Sequence, residues 1–340
     1  MNKHKQHVRG LIALVAVAVL AVVGFVVWNH LENTPEEAAA SGTRDSTVLT
    51  FERNGHRYRQ RQDLNTILLI GHDKNPGEEI ADLRETRFSS GGQADFLVLL
   101  AVDDNRGVVN MLMIDRDSMA RVNMLGVTGR PAGSKVMQIC LAHAYGDTVV
   151  KNDSNTRQAV QDFLGGVRIG HTVSMGMHGI QDINRLIGGV TVTVEEDMSS
   201  VDPAFVAGAT IRLTDEQAYD FCHARRTVGD GKNVSRMRRQ QLYLDAATHI
   251  VQQKVAASGS FARELVEGVM GITNMMDAGN NPTNTGWFIN QLNKAASYTV
   301  NPLVKLDGEH SLNPETGFIE CVVDPDDILD WVITNLCYEI

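Results

Sequence analysis

DFLVLLAVDDNRGVVNMLMIDRD, residues 95–117, decides the fold. Two apolar runs, Asp95 to Val102 and Val108 to Ile114, flank the polar turn Asp103-Asp-Asn-Arg-Gly107, and five such residues close a hairpin. Neither run alternates apolar with polar, so each reads as a strand buried on both faces, which needs a covering layer on each side of its sheet. Upstream, Thr66-Ile-Leu-Leu-Ile70 closed by Gly71 repeats the pattern. Downstream, Gly188 to Val194 offers a fourth strand, and the residues around Val173 a fifth. Helical patterns fall between them, at Val136 to Tyr145, at Thr156 to Leu164 with Ser154 as the cap, and at Met177 to Leu186. Strands alternating with helices predict a layered α/β/α sandwich around a mixed central sheet.

Further along, Thr214-Asp-Glu-Gln217 has the spacing of a capping box ahead of a helix over Ala218 to Ala224. Ser235 is expected to open a long helix to about Ala257. Helices near Phe261 to Met276 and Trp287 to Ala296, a short strand pair, and a last helix opened by Asp324-Pro325 follow. The expected organisation is a cytoplasmic tail over 1–10, a transmembrane helix over 11–28, and an extracytoplasmic tether over 29–62 with an edge strand at Thr47 to Phe51. A catalytic domain over 63–257 and a C-terminal α/β extension over 258–340 complete it.

The anchor rests on Leu11 to Trp28, eighteen residues without a charge, preceded by Lys3, Lys5 and Arg9 and followed by Glu32, Glu36 and Glu37. That length spans a bilayer, and the basic flank stays cytoplasmic. A cleaved signal ending near Ala38-Ala39-Ala40 is the alternative, but the run exceeds the 7–15 apolar residues usual for one. Either reading places the large domain outside the cytoplasm, and the uncleaved anchor, the preferred one, holds it at the cell membrane as a single-pass protein.

Without the three basic residues of the tail, 28 Lys and Arg face 41 Asp and Glu, a balance of −13. Such a surface repels nucleic acid. Cys140, Cys222, Cys321 and Cys337 are too few and too widely spaced for a disulfide scaffold. A Cys321–Cys337 pair and four free thiols are both compatible with that spacing.

Polar residues gather where the buried strands end: Gly71-His72-Asp73, Asp95 just after Gly91-Gly92, and Asp115-Arg116-Asp117. Ligands of α/β sheets collect at strand ends. A fourth cluster, HARRTVGDGKNVSRMRR over 223–239, carries Arg225, Arg226, Lys232, Arg236, Arg238 and Arg239 against Asp230 alone. So dense a run of like charge calls for a counter-charge, and an anionic ligand is the simplest. Arginine offers planar bidentate donors for phosphate, and Arg236, Arg239 and Gln240 share one helical face. Singly, each feature has a plainer reading: a turn or cap for Asp73 or Asp95, a surface ion pair for Arg116–Asp117, and a solvated or headgroup-facing stripe for the basic run. His72, His143, His171 and His178 lack metal-ligand spacing and read as structural.

In order and spacing, TILLIGHDK (66–74), GGQADFLVLL (91–100), VNMLMIDRDSM (109–119), AHAYGD (142–147), LIGGVTVTV (186–194), LTDEQAYDFCHARR (213–226) and SRMRRQQLYL (235–244) resemble the LytR-CpsA-Psr proteins of bacterial envelopes. The resemblance implies an Mg2+-dependent phosphotransferase that moves a glycopolymer from a polyprenyl-pyrophosphate carrier to peptidoglycan. It also implies that Asp73 and Asp95 contact Mg2+, and that Arg116, Arg225, Arg236, Arg239 and Gln240, with Gln138 and His223 at matching positions, bind the pyrophosphate. Arg116 and Asp117 are the expected catalytic pair, with Asp117 either a base or, preferably, an orienter of Arg116. Gln93, Gln138 and His223 stand where the family often has a permanent cation, and Asp115 where it often has proline. Two other activities fit the same residues: hydrolysis of the lipid pyrophosphate, and binding without turnover. A DNA-binding regulator conflicts with the anchor and the acidic balance.

Overall fold

Two short strands, β1 (Thr50–Arg53) and β2 (His56–Gln60), lead into the long apolar strands β3 (Asn65–His72), β4 (Ala94–Asp103) and β5 (Val108–Met113). The structure is a computed structural model and describes residues 49–73, 92–125, 131–145, 149–225, 228, 233–270, 289–290 and 292–340. The anchor segment 11–28 and the start of the tether lie outside the described residues. Among the described residues, no helix is long and apolar enough to cross a membrane.

The remaining elements are β6 (Met119–Leu125), β7 (Pro131–Gln138), a 3-10 helix (Ile139–Tyr145), helix α1 (Val149–Phe163), β8 (His171–Gly176), α2 (Gly179–Ile187), β9 (Thr191–Thr193), β10 (Thr210–Arg212) and α3 (Asp215–His223). Next come α4 (Asn233–Ala257), α5 (Phe261–Met270), β11 (Thr299–Val300), β12 (Val304–Lys305), β13 (Gly308–Leu312), β14 (Ile319–Val323), α6 (Pro325–Leu336) and β15 (Cys337–Glu339). The central sheet runs β11-β5-β4-β3-β8, with β12 also on β5. The β3–β4 and β4–β5 pairs are antiparallel, whereas β8 joins β3, and β11 and β12 join β5, in parallel. The sheet is therefore mixed.

Two cores explain why the strands read as unbroken apolar runs. Ile67, Leu69, Val98, Leu100, Val109 and Met111 face a core shared with α2, α3, α4 and α5. Their neighbours Leu68, Ile70, Leu97, Leu99 and Leu112 face a second core built with α1, the 3-10 helix and α6. Each fully buried leucine contributes about 1.5–3 kcal/mol. The described residues from β11 onward belong to this body: β11 and β12 extend the central sheet, and Trp331, Val332 and Leu336 of α6 fill the second core.

The capping box forms, with the Thr214 hydroxyl accepting from Gln217 N and the Gln217 amide oxygen from Thr214 N. Asp324 caps α6, with proline in its first turn. Several sequence expectations give way. Val136 lies in strand β7, opposite Arg121 of β6, because hairpin pairing prevails over a helix-like spacing of apolar residues. Ser154 sits inside α1, which begins five residues earlier. The cap-like polar residues around it find distant partners instead, as Asn155 donates to the Ala142 carbonyl and Asp153 accepts from Ser174. The segment 188–194 does not enter the central sheet. Gly188 and Gly189, at φ 83° and 88°, turn the chain after α2, and β9 pairs with β10 in a ribbon that buries only Val192. The long helix opens at Asn233 rather than Ser235. Of the expected edge strand at Thr47 to Phe51, residues 47 and 48 lie outside the described residues, and Thr50 and Phe51 open β1, the edge of a small sheet with β2 and the C-terminal β15. Cys140, Cys222 and Cys321 are buried free thiols, and Cys337 is a half-buried one.

Candidate active site

One end of the central sheet collects the chemistry. Because β4 runs against β3 and β5, its entry lies beside their exits, so Asp95 meets both Asp73 and the 115–117 segment. Gly71 prepares the corner, since a Cβ there would stand 2.9 Å from Phe96 Cβ and 3.0 Å from Met177 Sδ. The β3–β4 register shifts just beyond it, between Gly71 and His72. Such an irregularity re-aims the following side chain. Asp73 then pairs with the approach to β4: its N–H donates to the Gln93 carbonyl at 3.2 Å, and its Oδ1 accepts from the Gln93 N–H at 2.5 Å.

Asp95 is the centre. Arg116 donates to its Oδ1, and Arg236 donates to its Oδ2 at 2.8 Å. Burial alone would raise the Asp95 carboxyl, but the two guanidiniums outweigh it and hold the pKa below the ordinary value. Arg116 also donates to Gln93 Oε1 and, at 3.1 Å, to Cys140 Sγ, while its Nε lies 3.3 Å from Asp117 Oδ1. Asp117 accepts from Gln138 Nε2 at 2.8 Å and faces Arg225 Nη2 at 3.4 Å. Burial raises the Asp117 carboxyl, with Arg116 opposing. Arg225 Nε is a buried donor without a partner among the described residues.

Sequence reading missed Asn233. Its amide donates to Asp115 Oδ1 at 2.7 Å, and its Oδ1 accepts from Arg236 Nη2 at 2.7 Å and Nε at 3.1 Å. It thus ties the β5 exit to the first turn of α4. The only sequence signal was its i, i+3 spacing to Arg236. The acidic partners of the basic run are equally distant: Asp95 for Arg236, Asp117 for Arg225, Glu195 for Arg238 and Glu196 for Arg239. Much of the counter-charge expected from a ligand is therefore internal. Arg226, Lys232 and Asp230 lie outside the described residues.

Not every expected ligand joins the Asp95 cluster. Arg239 donates to the Phe221 carbonyl at 2.9 Å and to the Ala224 carbonyl, and Gln240 donates to the Cys222 carbonyl at 3.3 Å. Both satisfy open carbonyls at the end of α3 and so fix the approach of Arg225. His223 stacks on Tyr219, which stacks in turn on His178, with ring centroids 4.8 and 4.4 Å apart. Burial holds the His223 imidazole below its ordinary pKa despite Asp95, so it adds no permanent charge. Gln138 is committed to Asp117 and to the Ile319 carbonyl. An apolar cavity of about 510 Å3, lined by Phe51, Met119, Val136, Phe163, Val322 and Ile328, includes none of the expected site residues.

The arrangement suits an anion with several charged oxygens. Three guanidiniums, those of Arg116, Arg225 and Arg236, converge within one hydrogen-bonded network, and buried ion pairs of this kind serve function more than stability. Asp73 and Asp95 also fit a hard divalent cation. Asp73 keeps one carboxylate oxygen clear of the Gln93 contact and is exposed to solvent. Desolvation of the carboxyl, with the Asp95 charge adding to it, raises the Asp73 pKa.

The model of the LytR_cpsA_psr family matches residues 25–297. The polyisoprenyl-teichoic acid–peptidoglycan teichoic acid transferase TagU of Oceanobacillus iheyensis is 25% identical over 240 residues, covering 70% of this chain and 67% of the relative. The TagU of Bacillus cereus is 24% identical over 221 residues, covering 65% and 63%. The chain thus spans about two thirds of the relatives' length. Protein gbs0355 from Streptococcus agalactiae shares the fold at a TM-score of 0.59, 19% identity, and coverage of 79% of this chain and 85% of that one. TagV of B. subtilis does so at 0.56, 18%, 79% and 94%, and TagT bound to LIIa-WTA at 0.53, 19%, 79% and 88%.

Proposed function

Since the chain belongs to the LytR-CpsA-Psr family, we propose that it transfers an envelope glycopolymer from a polyprenyl-pyrophosphate carrier to peptidoglycan. The convergence of Arg116, Arg225 and Arg236 on Asp95 and Asp117 at the sheet end carries this reading, and the TagU relatives support the class of reaction. In the reaction, a peptidoglycan hydroxyl oxygen forms a bond to the glycan-linked phosphorus. The bond from that phosphorus to the bridging oxygen breaks, and polyprenyl phosphate leaves while the hydroxyl proton passes to solvent or a carboxylate.

Arg116 and Arg225 take the charge that builds on the phosphoryl and leaving oxygens, a reading supported by an Arg225 Nε that has no partner among the described residues. Asp117 orients Arg116 rather than acting first as a base, because proton removal is a small part of the cost of such transfers. Asp73 and Asp95 would hold Mg2+ together with substrate oxygens, and the ion would neutralise pyrophosphate charge. We place the domain outside the cytoplasm, tethered by the segment 11–28. Its substrate never leaves the bilayer, so tethering raises the local concentration.

The test is incubation of the full chain in detergent with a lipid-linked glycan, peptidoglycan and Mg2+. Glycan attached to peptidoglycan with release of polyprenyl phosphate is expected. Release at an equal rate without peptidoglycan would make the protein a hydrolase, and retained binding with no product would leave a binding role only. For the anchor, the chain should fractionate with membranes, and its C-terminal domain should be cut by protease added outside intact cells.

A further inference from the structure

A second, largely buried cluster lies beside the site, and none of its residues contacts substrate in the proposed transfer. Asp115, His310 and Cys321 bring a carboxylate oxygen, an imidazole nitrogen and a sulfur within 4.8 Å of one another. We propose that Asp115, His310 and Cys321 bind a divalent first-row transition ion, with zinc preferred.

His310 gives the first argument. Its Nδ1 lies 3.2 Å from the Gly308 carbonyl, which can only accept, so Nδ1 carries the proton. In the neutral imidazole, Nε2 is then a bare lone pair, yet it faces Asp115 Oδ2 at 2.9 Å, a second acceptor. Two lone pairs at that separation require a cation between them, either a proton or a metal. An imidazole whose other nitrogen donates to a backbone carbonyl is the usual arrangement of a metal-ligating histidine.

Cys321 distinguishes the two, because a proton shared by His310 and Asp115 has no use for a sulfur. The sulfur is held there by the backbone. The Cys321 N–H donates to the Asp117 carbonyl at 2.8 Å, Cys321 bridges to Ser118, and a Cβ on Gly308 would fall 2.4 Å from Sγ. Position 308 thus leaves room for the thiol. All three ligands sit on strands or their ends, β5, β13 and β14, rather than on one loop.

The donor set selects the ion. Sulfur with imidazole disfavours Mg2+ and Ca2+ and favours zinc, and three protein ligands leave a fourth position for water. Binding converts the thiol to thiolate and releases its proton to solvent, so affinity rises with pH. The other oxygen of Asp115 already holds Asn233 and the Asp117 N–H. The ion would therefore clamp the β13–β14 hairpin onto the strand end that presents Arg116.

Titration of the metal-free, reduced full chain with Co2+ tests this. We expect a near-ultraviolet band of thiolate-to-cobalt charge transfer that saturates at one ion per chain and is erased by Zn2+. C321S should abolish the band, H310A should weaken binding at least about 100-fold, and C140S or C337S should leave it intact. Zn2+ should raise the thermal unfolding temperature of the parent protein but not that of C321S, whose far-ultraviolet circular dichroism reports its fold. No band in the folded parent, or a band that survives C321S, overturns the proposal. In the first case the His310–Asp115 contact is an ion pair held by a proton.

Discussion

Asp95 and Arg236 lie 141 positions apart and meet at 2.8 Å, with Arg116 on the other carboxylate oxygen. One buried carboxylate thus pairs with two buried guanidiniums, Arg116 sharing Asp117 as well, and joins β4 to both the β5 exit and α4. Removing it strands two cations away from water. Asp95→Ala should cost about 3–5 kcal/mol, the range for breaking a buried pair from one side. Asp95→Asn keeps the shape and should cost less, yet still lose transfer activity. Chemical denaturation of the two variants checks the order, and an Ala variant as stable as the parent would refute the central role of this carboxylate.

Arg116→Ala should lower transfer about 100- to 1000-fold, the loss seen when one preorganised donor to developing charge is removed. Lysine restores the charge without the fork that reaches Asp95, Gln93 and Asp117 together, so Arg116→Lys should recover little. Single-turnover rates at saturating lipid-linked substrate, compared with binding of the same substrate, separate chemistry from affinity. Weaker binding with the saturated single-turnover rate unchanged would show that Arg116 only holds the ground state.

Asn233→Ala tests positioning through another residue. It leaves Arg236 without its two bonds to Oδ1 and takes from Asp115 Oδ1 one of its two donors, the Asp117 N–H remaining. The turnover rate constant should fall roughly 10- to 100-fold, as for supporting residues around a site, with KM little changed. Asn233→Asp, which keeps the acceptor for Arg236, should recover part of the loss. A change confined to thermal stability would reduce Asn233 to a structural role.

How much of this was legible in the sequence follows from the range of the forces involved. Apolar runs such as Ile67–Ile70 and Leu97–Val102 announce two-sided burial because every residue in them has a covering layer. The Thr214–Gln217 box is legible because its partners are three residues apart. By contrast, Val136 was misread because its partner Arg121 sits across a hairpin, and 188–194 because two glycines, not the valines, set its direction. At the candidate site, the strand ends and three of the clustered arginines singled out in the sequence are brought together. What stayed hidden was which arginines turn inward. Arg236 and Arg239 lie one turn apart, yet one reaches Asp95 and the other the end of α3. Asn233, His310 and Cys321 were invisible because their partner, Asp115, is more than a hundred residues away in each case.

Asp245 on α4 offers a prediction about pH. Its Oδ1 is buried without a partner among the described residues, and burial raises the carboxyl to about 6, with Arg238 opposing. Arg238 is already held by both oxygens of Glu195. In the unfolded chain the group titrates near about 4. Between those values the folded state binds more protons, so its stability is fully present below about pH 4 and is lost as the pH rises through about 6. After allowance for partial solvation, the cost at neutral pH is about 1–2 kcal/mol. Asp245→Asn, which has no charge to desolvate, should therefore be more stable than the parent at pH 7.5 and nearly equal to it at pH 4. Thermal unfolding of both proteins across that range decides the matter. A stability gap that stays constant with pH would mean that the Asp245 carboxyl titrates as it does in water.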